Sequence, residues 1–231
     1  MASVAVVGAK GYVGSALCTA LAQTPNSVVW VTRENYGEMQ THEYSVVINA
    51  AMPGARFFAK NHPAEDFIET VQKTADLVYR WKYKKFIQIS TISARCQLNT
   101  VYGRHKAAAE KICDFGDNLI VRLSAMYSPN ITKGALLDIK RGKKVYVGAE
   151  SRYCFTPLEF VGEWISGNLG KSGIIEVGAR NTISLREIAD HLGVKVEFDG
   201  PVDVQEIVNP KPDFPDARDV LTFLDNWEPT P

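Results

Sequence analysis

Val4-Ala5-Val6-Val7-Gly8-Ala9-Lys10-Gly11-Tyr12-Val13-Gly14 is the stretch on which the reading of this chain turns. Four apolar residues in unbroken succession suit a strand covered on both faces, and the run from Tyr12 to Gln23 is helical until Thr24-Pro25-Asn26 ends it. Between strand and helix lies a GxxGxxG loop. Glycines at such a junction turn the chain sharply, let backbone N–H groups approach a diphosphate, and let the helix lie close on the strand. The helix N-terminus adds the positive end of its dipole. Gly8, Lys10, Gly11, Tyr12, Val13 and Gly14 are therefore the first candidates for holding a dinucleotide.

Outward from that loop the same alternation repeats. Val28–Thr32, Ser45–Ala50, Phe86–Ser90 and Leu119–Leu123 read as further strands. A long helical segment from Ala64 to Tyr83 and a helix from Tyr102 to Cys113 lie between them. Strand–helix alternation with continuous Val and Ile runs predicts an α/β fold, a doubly wound parallel sheet of Rossmann type. After Ser124 glycines and prolines punctuate shorter elements. Ile174–Val177 reads as one more strand, Ser184–Leu192 as a helix with Ser184 and Glu187 in a capping box, and the tail from Pro201 to Pro231 as irregular. The expected organisation is a core over 1–125 and a small C-terminal lobe over 126–231 that contributes in part to the core sheet.

Composition narrows the classes. Of 231 residues 45% are hydrophobic and 23% charged, an ordinary globular balance that excludes a disordered or fibrous chain. The longest apolar runs fall far short of the roughly 18 residues of a membrane helix. Twenty-six basic residues cancel 26 acidic ones, so no global field draws the protein to nucleic acid or to a membrane. The short basic cluster Lys140, Arg141, Lys143 and Lys144 reads as a solvated helix end. Cys18, Cys96, Cys113 and Cys154 are too scattered for a zinc pattern or a disulfide framework, and no metal is expected. The N-terminus carries no basic segment followed by an apolar one, so the expected compartment is the reducing cytoplasm.

The chemistry is carried by Tyr102-Gly103-Arg104-His105-Lys106. Tyr followed four residues later by Lys is an undemanding pattern in a chain with nine tyrosines, but its context is specific. It opens a helix, about a dozen residues after a strand that ends in hydroxyls, Ser90-Thr91. The spacing stacks Tyr102 and Lys106 one turn apart on one helix face. A phenol with a pKa near 10 is a poor base at neutral pH, and a neighbouring ammonium favours its ionised form. Together with the glycine loop this resembles the short-chain dehydrogenase/reductase superfamily, in particular its extended branch of NAD-dependent epimerases and dehydratases. The resemblance implies Tyr102 as acid/base, Lys106 on the nicotinamide ribose, and Thr91 holding the substrate oxygen, with Ser93 the next hydroxyl in line. Asn49-Ala50-Ala51 resembles the small-residue segment that lies against the cofactor. LIVRLSAMYSP at Leu119–Pro129 and the segment Arg152–Phe155 resemble regions that touch substrate, which brings in Tyr127 and Arg152. The chain departs from the pattern in its abbreviated substrate lobe and in Thr70, where many members carry Asn in the long helix.

The second strand ends Val31-Thr32-Arg33-Glu34. No carboxylate stands at the tip position Thr32, and Arg33 and Lys10 are cations on the adenosine side, which favours NADP. Glu34 lies at the usual distance of a ribose-binding acid, so NAD stays open. The resemblance points to an NAD(P)-dependent epimerase or reductase of a nucleotide-sugar or similar polar substrate. Ile92-Ser93 replaces the Asp-Glu pair of the dehydratases, which disfavours water loss. Two alternatives are a regulatory NAD(P)-binding protein of the NmrA type, against which Tyr102 and Lys106 argue, and a reductase of small apolar carbonyls, against which Arg152 argues. Members of the branch commonly pair two helices in a C2 homodimer. Here Phe67, Val71, Ala75 and Val78 form one apolar stripe, Leu77, Tyr79 and Trp81 are expected exposed beside it, and Ala107, Ala108, Ala109 and Ile112 permit close approach on the second helix.

Overall fold

Apolar runs become strands wherever Val and Ile follow one another without a polar break. β1 (Ser3–Val7) leads through the glycine loop into α1 (Tyr12–Ala22), then β2 (Ser27–Val31), the short α2 (Tyr36–Met39) and β3 (Glu43–Asn49). α3 (Arg56–Asn61), α4 (Pro63–Phe67), a π-helical turn (Ile68–Gln72) and α5 (Lys73–Arg80) lead to β4 (Lys82–Thr91). α6 (Ser93–Cys96), α7 (Val101–Cys113) and β5 (Leu119–Leu123) follow. The later elements are β6 (Met126–Tyr127), α8 (Ala135–Lys140), β7 (Arg152–Tyr153), β8 (Thr156–Pro157), α9 (Leu158–Gly167) and β9 (Gly173–Val177). β10 (Ile183–Ser184), α10 (Leu185–Leu192), β11 (Val204–Gln205) and α11 (Asp219–Asn226) complete the computed structural model, which describes residues 2–229. Two compact units result, one running to Leu123 and taking in Glu159–Ile175, the other made of Ser124–Leu158 and the chain from Glu176 onward.

The main sheet has the order β2-β1-β3-β4-β5-β9. β1 is flanked in parallel by β2 and β3, with Val7 level with Val31 on one side and Asn49 on the other. β3–β4 and β4–β5 are parallel as well, and Thr91 ends level with Leu123. Strand order reverses at β1, and in such sheets ligands bind in the crevice beyond the carboxyl ends at the reversal. Gly8 and Asn49-Ala50-Ala51 are the two lips of that crevice.

The segment read as one helix over Ala64–Tyr83 is three pieces. The π turn interrupts it, and it stops at Arg80 because Trp81 takes an extended conformation and turns its ring inward. Trp81 Nε1 donates to the Tyr36 hydroxyl at 3.2 Å and its ring stacks on Tyr44 at 5.8 Å. Leu77, Val78 and Trp81 pack with Ala5, Val47, Phe86 and Ile120 in one cluster. Leu77 and Trp81, expected at the surface, are 1% and 5% exposed, and only Tyr79 of that trio faces solvent. The helical period placed them correctly in angle, but the end of the helix and the neighbouring β1–β3 face cover more of its circumference than one stripe.

In the second unit β7 pairs antiparallel with β10 and parallel with β11, and β6 pairs with β8. The capping box forms, with Ser184 and Glu187 bonding each other's backbone. The tail read as irregular contains β11 and α11 instead. α11 is anchored by Phe223, whose ring lies 4.8 Å from Tyr127 and 5.3 Å from Trp227, and by Trp227 Nε1 donating to the Pro129 carbonyl at 3.0 Å. Within the basic cluster, Lys144 pairs with Glu197 and Asp199, and Lys140 donates to the Leu224 carbonyl. No helix among the described residues is long and apolar enough to cross a membrane.

Replacing a buried aromatic by Ala costs about 3–5 kcal/mol, whereas an exposed position costs within about 0.5 kcal/mol. Urea unfolding of Trp81→Ala is expected to show the first figure and Tyr79→Ala the second. A Trp81→Ala midpoint equal to that of wild type would mean the ring does not end the helix.

Candidate functional site

The glycine loop is shaped by close backbone contact. Gly8 has φ +84°, a region that favours glycine, and a Cβ there would lie 2.7 Å from Ala51 Cα and 2.9 Å from the Ala50 carbonyl carbon. A Cβ on Gly14 would strike the Gly8 carbonyl, far inside van der Waals contact. Gly11 N donates to that same carbonyl at 2.8 Å, while Gly8 N and Ala9 N donate to the Val31 carbonyl at 3.0 and 3.2 Å. α1 begins at Gly11 without a side-chain cap. The cradle, which any side chain would fill, lies at the N-terminus of α1 and suits a dinucleotide diphosphate.

The small-residue segment plays a structural part in that cradle. Asn49 is buried, its Nδ2 donating to Thr74 Oγ1 at 3.2 Å and Gln88 Oε1 at 3.1 Å, while its Oδ1 accepts from Ala51 N at 3.2 Å. Its side chain is a strut, and the backbone of Ala50 and Ala51 is what meets the loop. On the adenosine side one of the two cations read from the sequence, Lys10, meets the acid read beside them. The Glu34 carboxylate is bonded by the Thr32 side chain and lies 3.7 Å from Lys10 Nζ. The Thr32 bond, a backbone bond and the Lys10 charge hold that carboxyl below its usual range. Arg33 is exposed and has no ion-pair partner among the described residues.

The catalytic candidates converge at the carboxyl end of β4. Thr100 caps α7, its Oγ1 accepting from Gly103 N at 3.0 Å, and this starts the helix that aims Tyr102 and Lys106 inward. Lys106 Nζ lies 5.2 Å from the Tyr102 ring centroid. Thr91 is hydrogen-bonded to the Tyr102 phenol and accepts from Ser93 N at 3.3 Å. Ser90 is committed elsewhere: it donates to Glu110 Oε1 at 2.6 Å, and Glu110 is gripped by Arg122 Nε and Nη2 at 2.9 and 2.7 Å. Thr91 is thus the strand-end hydroxyl at the phenol, with Ser93 buried behind it.

Electrostatics here differ from expectation. Burial pushes the Tyr102 phenol above its ordinary value; Arg56 and the Thr91 bond pull it down, and Asp66 pushes it further up. Burial also lowers Lys106 to about 7, with Asp66 raising it again. Burial thus disfavours the ammonium whose charge would help the phenolate. Arg56, Asp66 and His105 were not singled out from the sequence. Asp66 is fully buried with Oδ2 2.7 Å from His105 Nδ1. An acid on the inner side of an amphipathic helix and a histidine inside the Tyr–Lys spacing were the available signals.

The sequence pattern of the NAD dependent epimerase/dehydratase family matches residues 4–144, which span β1 through α7 and beyond. The chain belongs to that family. Its members are NAD(P)-dependent enzymes, and the solved structures it resembles share the fold. UDP-glucose 4-epimerase from Thermotoga maritima, solved with UDP-glucose, is 17% identical with TM-score 0.74, covering 99% of this chain and 94% of that one. MoeE5, solved with UDP-glucose and NAD, is 17% identical with TM-score 0.75, covering 95% and 92%. The dTDP-4-dehydrorhamnose reductase of Bacillus anthracis, solved with NADP, is 14% identical with TM-score 0.77, covering 98% and 100%. No curated protein sequence matches the chain significantly.

Tyr127 and Arg152 belong to the second unit of this epimerase-family chain, and both are engaged there. Tyr127 is buried beside Phe223, and burial pushes its phenol up to about 12. Arg152 donates from Nε to Thr182 Oγ1 at 3.0 Å and from Nη2 to the Thr182 carbonyl at 3.2 Å, with Nη1 3.5 Å from Glu187. Among the described residues no group of three or more His, Cys, Asp or Glu stands together to hold a metal ion.

Gly14→Ala is expected to weaken NAD(P)H binding at least ten-fold and to lower the thermal midpoint, since the methyl would collide with the Gly8 carbonyl. Gly37→Ala, where nothing lies within 4 Å, is the control. Fluorescence titration and a melting curve on each variant check both. Unchanged binding in Gly14→Ala would remove the loop from the cofactor site.

Proposed function

We propose that the protein is an epimerase or reductase that interconverts hydroxyl and carbonyl groups of a nucleotide-sugar, or of a similarly polar compound, using NADP or NAD. The observation that carries this reading is the joining of Thr91, Tyr102 and Lys106 at one strand end, in the unit that also holds the glycine cradle. Bound there, the nicotinamide would take up or deliver the hydride. Thr91 would hold the substrate oxygen, Tyr102 would give or accept its proton, and Lys106 would bind the nicotinamide ribose. Gly8, Gly11, Tyr12, Val13 and Gly14 would hold the diphosphate, with Ala50 and Ala51 closing over it. Ser93, Tyr127 and Arg152 are the substrate candidates; Arg152 would have to exchange Thr182 or Glu187 for an anion. UDP-glucose and NAD in the MoeE5 structure are consistent with a nucleotide-sugar, and NADP in the reductase with either cofactor. A regulatory NAD(P)-binding protein is the second reading, and the buried Tyr102–Lys106 pair with its Thr91 partner speaks for chemistry instead. We assign the protein to the reducing cytoplasm, where its four cysteines would stay thiols.

Tyr102→Phe is expected to lower turnover more than ten-fold while cofactor affinity stays within a few-fold, because the ring remains and only the proton carrier goes. A panel of nucleotide-sugars supplies the substrate: isomer formation without net NAD(P)H change marks an epimerase, consumption of NAD(P)H a reductase. Turnover retained in Tyr102→Phe would sink the assignment, and binding without turnover of any compound would favour the regulatory reading.

NADP is the preferred cofactor in this reading, through Arg33 and through Lys10 once a 2′-phosphate displaces Glu34. Dissociation constants should favour NADPH over NADH, Arg33→Asp should reverse the order, and Glu34→Gln should tighten NADPH several-fold. Equal affinities in the unmodified protein would overturn it.

A homodimer also belongs to this reading. Phe67 and Ile68 remain about half exposed beside the π turn, at 47% and 46%. A pairing of that face would cover them. Light scattering is expected to give twice the chain mass of 25.6 kDa; the single mass would show that the face stays in solvent.

A further inference from the structure

We propose that Gln88 is a positioning residue for the cofactor cradle: its buried amide sets the place of the Ala50-Ala51 backbone by holding Asn49 and Met52 at once. The inference rests on the reading of the glycine loop with Ala50 and Ala51 as a dinucleotide site, and it adds Gln88 and Met52 to that site. Strands covered on both faces of a parallel sheet run apolar. β3 and β4 break that rule side by side. Asn49 and Gln88 are register partners, exposed at 1% and 0%, and Thr74 of α5, bonded to Asn49, is buried with them. Buried amides cost stability unless their donors and acceptors are used, and a polar cluster that is fully used makes the geometry around it rigid.

The bonds run one way and fix the orientation of both amides. Ala51 N donates to Asn49 Oδ1 at 3.2 Å, which leaves Nδ2 to donate to Thr74 Oγ1 at 3.2 Å and to Gln88 Oε1 at 3.1 Å. With its oxygen taken by Asn49, Gln88 turns Nε2 to the Met52 thioether at 3.1 Å and to the Ile89 carbonyl at 3.3 Å. Both N–H groups and the oxygen of Gln88 are then used. One side chain on β4 thus grips the segment Asn49–Met52 at both ends. A thioether is a weak acceptor, so the Met52 end is the softer of the two. Between the two ends lies the backbone that meets the glycine loop. Ala50 N donates to the Val7 carbonyl at 2.9 Å, and a Cβ on Gly8 would lie 2.7 Å from Ala51 Cα. The two backbones pass too closely for any side chain, and a segment that drifts away opens the cradle. Gln88 is fully buried and acts on a ligand only through that segment.

The test reads the segment first without cofactor and then with it. In isotope-labelled full-length protein, nuclear magnetic resonance follows solvent exchange of the Ala51 amide, which donates to Asn49. Gln88→Leu is expected to speed that exchange about ten-fold, while the Ala5 and Val6 amides of β1 keep their rates. NADPH and NADH are then titrated. Gln88→Leu should weaken the tighter of the two about ten-fold and Met52→Leu about three-fold. The double variant should lose no more than Gln88→Leu alone, because the two side chains act through one bond. Trp81→Ala, which lowers stability away from the cradle, should leave affinity within about two-fold of wild type. Wild-type Ala51 exchange or wild-type affinity in Gln88→Leu overturns the proposal. So do additive losses in the double variant, or a loss in Trp81→Ala equal to that in Gln88→Leu. If near-ultraviolet circular dichroism shows Gln88→Leu unfolded, the volume-conserving Met52→Leu decides: faster Ala51 exchange with weaker binding supports the proposal, and the absence of either refutes it. A wild type that binds neither nucleotide refutes the functional reading, and Ala51 exchange then decides by itself whether Gln88 holds the segment.

Discussion

The carbonyl of Gly8 is where three pieces of chain have to meet. It accepts the Gly11 N–H, it occupies the space a Gly14 side chain would need, and its own residue rests on Ala50 and Ala51. Strand, helix and neighbouring strand end are thereby fixed within contact distance at the one place where the sheet order reverses. That contact fixes more than a ligand cradle. Asn49, next to Ala50, is tied to Gln88 on β4 and Thr74 on α5, so the position of the loop is passed across the sheet toward the strand that ends in Thr91.

The second anchor is ionic and joins α7 to β4 and β5. Glu110 on α7 binds Ser90 of β4 and Arg122 of β5 together. Bonds to ionised groups are shorter and stronger than neutral ones, and a buried pair with every lone pair used resists being pulled apart. Tyr102 and Lys106 sit two turns and one turn earlier on the same helix. Their distance from Thr91 is therefore set by the hydrogen-bonded network around Glu110. The strand tip divides the labour: Ser90 faces the brace, Thr91 faces the phenol.

What the sequence made legible was local. The glycine loop is a strand, a turn and a helix within 11 consecutive residues, Val4–Gly14, and Tyr102–Lys106 spans a single helical turn; both could be read because backbone geometry alone couples their members. The parallel sheet followed from unbroken Val and Ile runs. The misses have a common cause in long-range packing. Trp81 looked like exposed surface on a helical wheel because Tyr36 and Tyr44, which bury it, lie about 40 residues earlier in the chain. The π turn gave no compositional sign. Asp66 and His105 are 39 positions apart, and neither is unusual until the fold closes over them.

Charge was the hardest property to read, because a cation in a motif position has no obligation to be available. Lys10 and Arg152 were both read as ready for anions, and both have partners of their own. The two commitments differ in kind. Lys10 and Glu34 are more than two-thirds exposed, and a pair in that setting is screened by salt and readily exchanged for a phosphate. Arg152 is held through Nε and Nη2 by Thr182, with Nη1 beside a carboxylate that itself caps α10. Releasing it would free Glu187 from one of two arginines and leave the Thr182 carbonyl in need of a donor. The first arrangement costs a ligand little to open, whereas the second asks the ligand to replace several directed bonds at once. The Lys10–Glu34 pair is thus a soft surface contact, and an anion recruited to Arg152 would have to be one able to accept a bidentate grip.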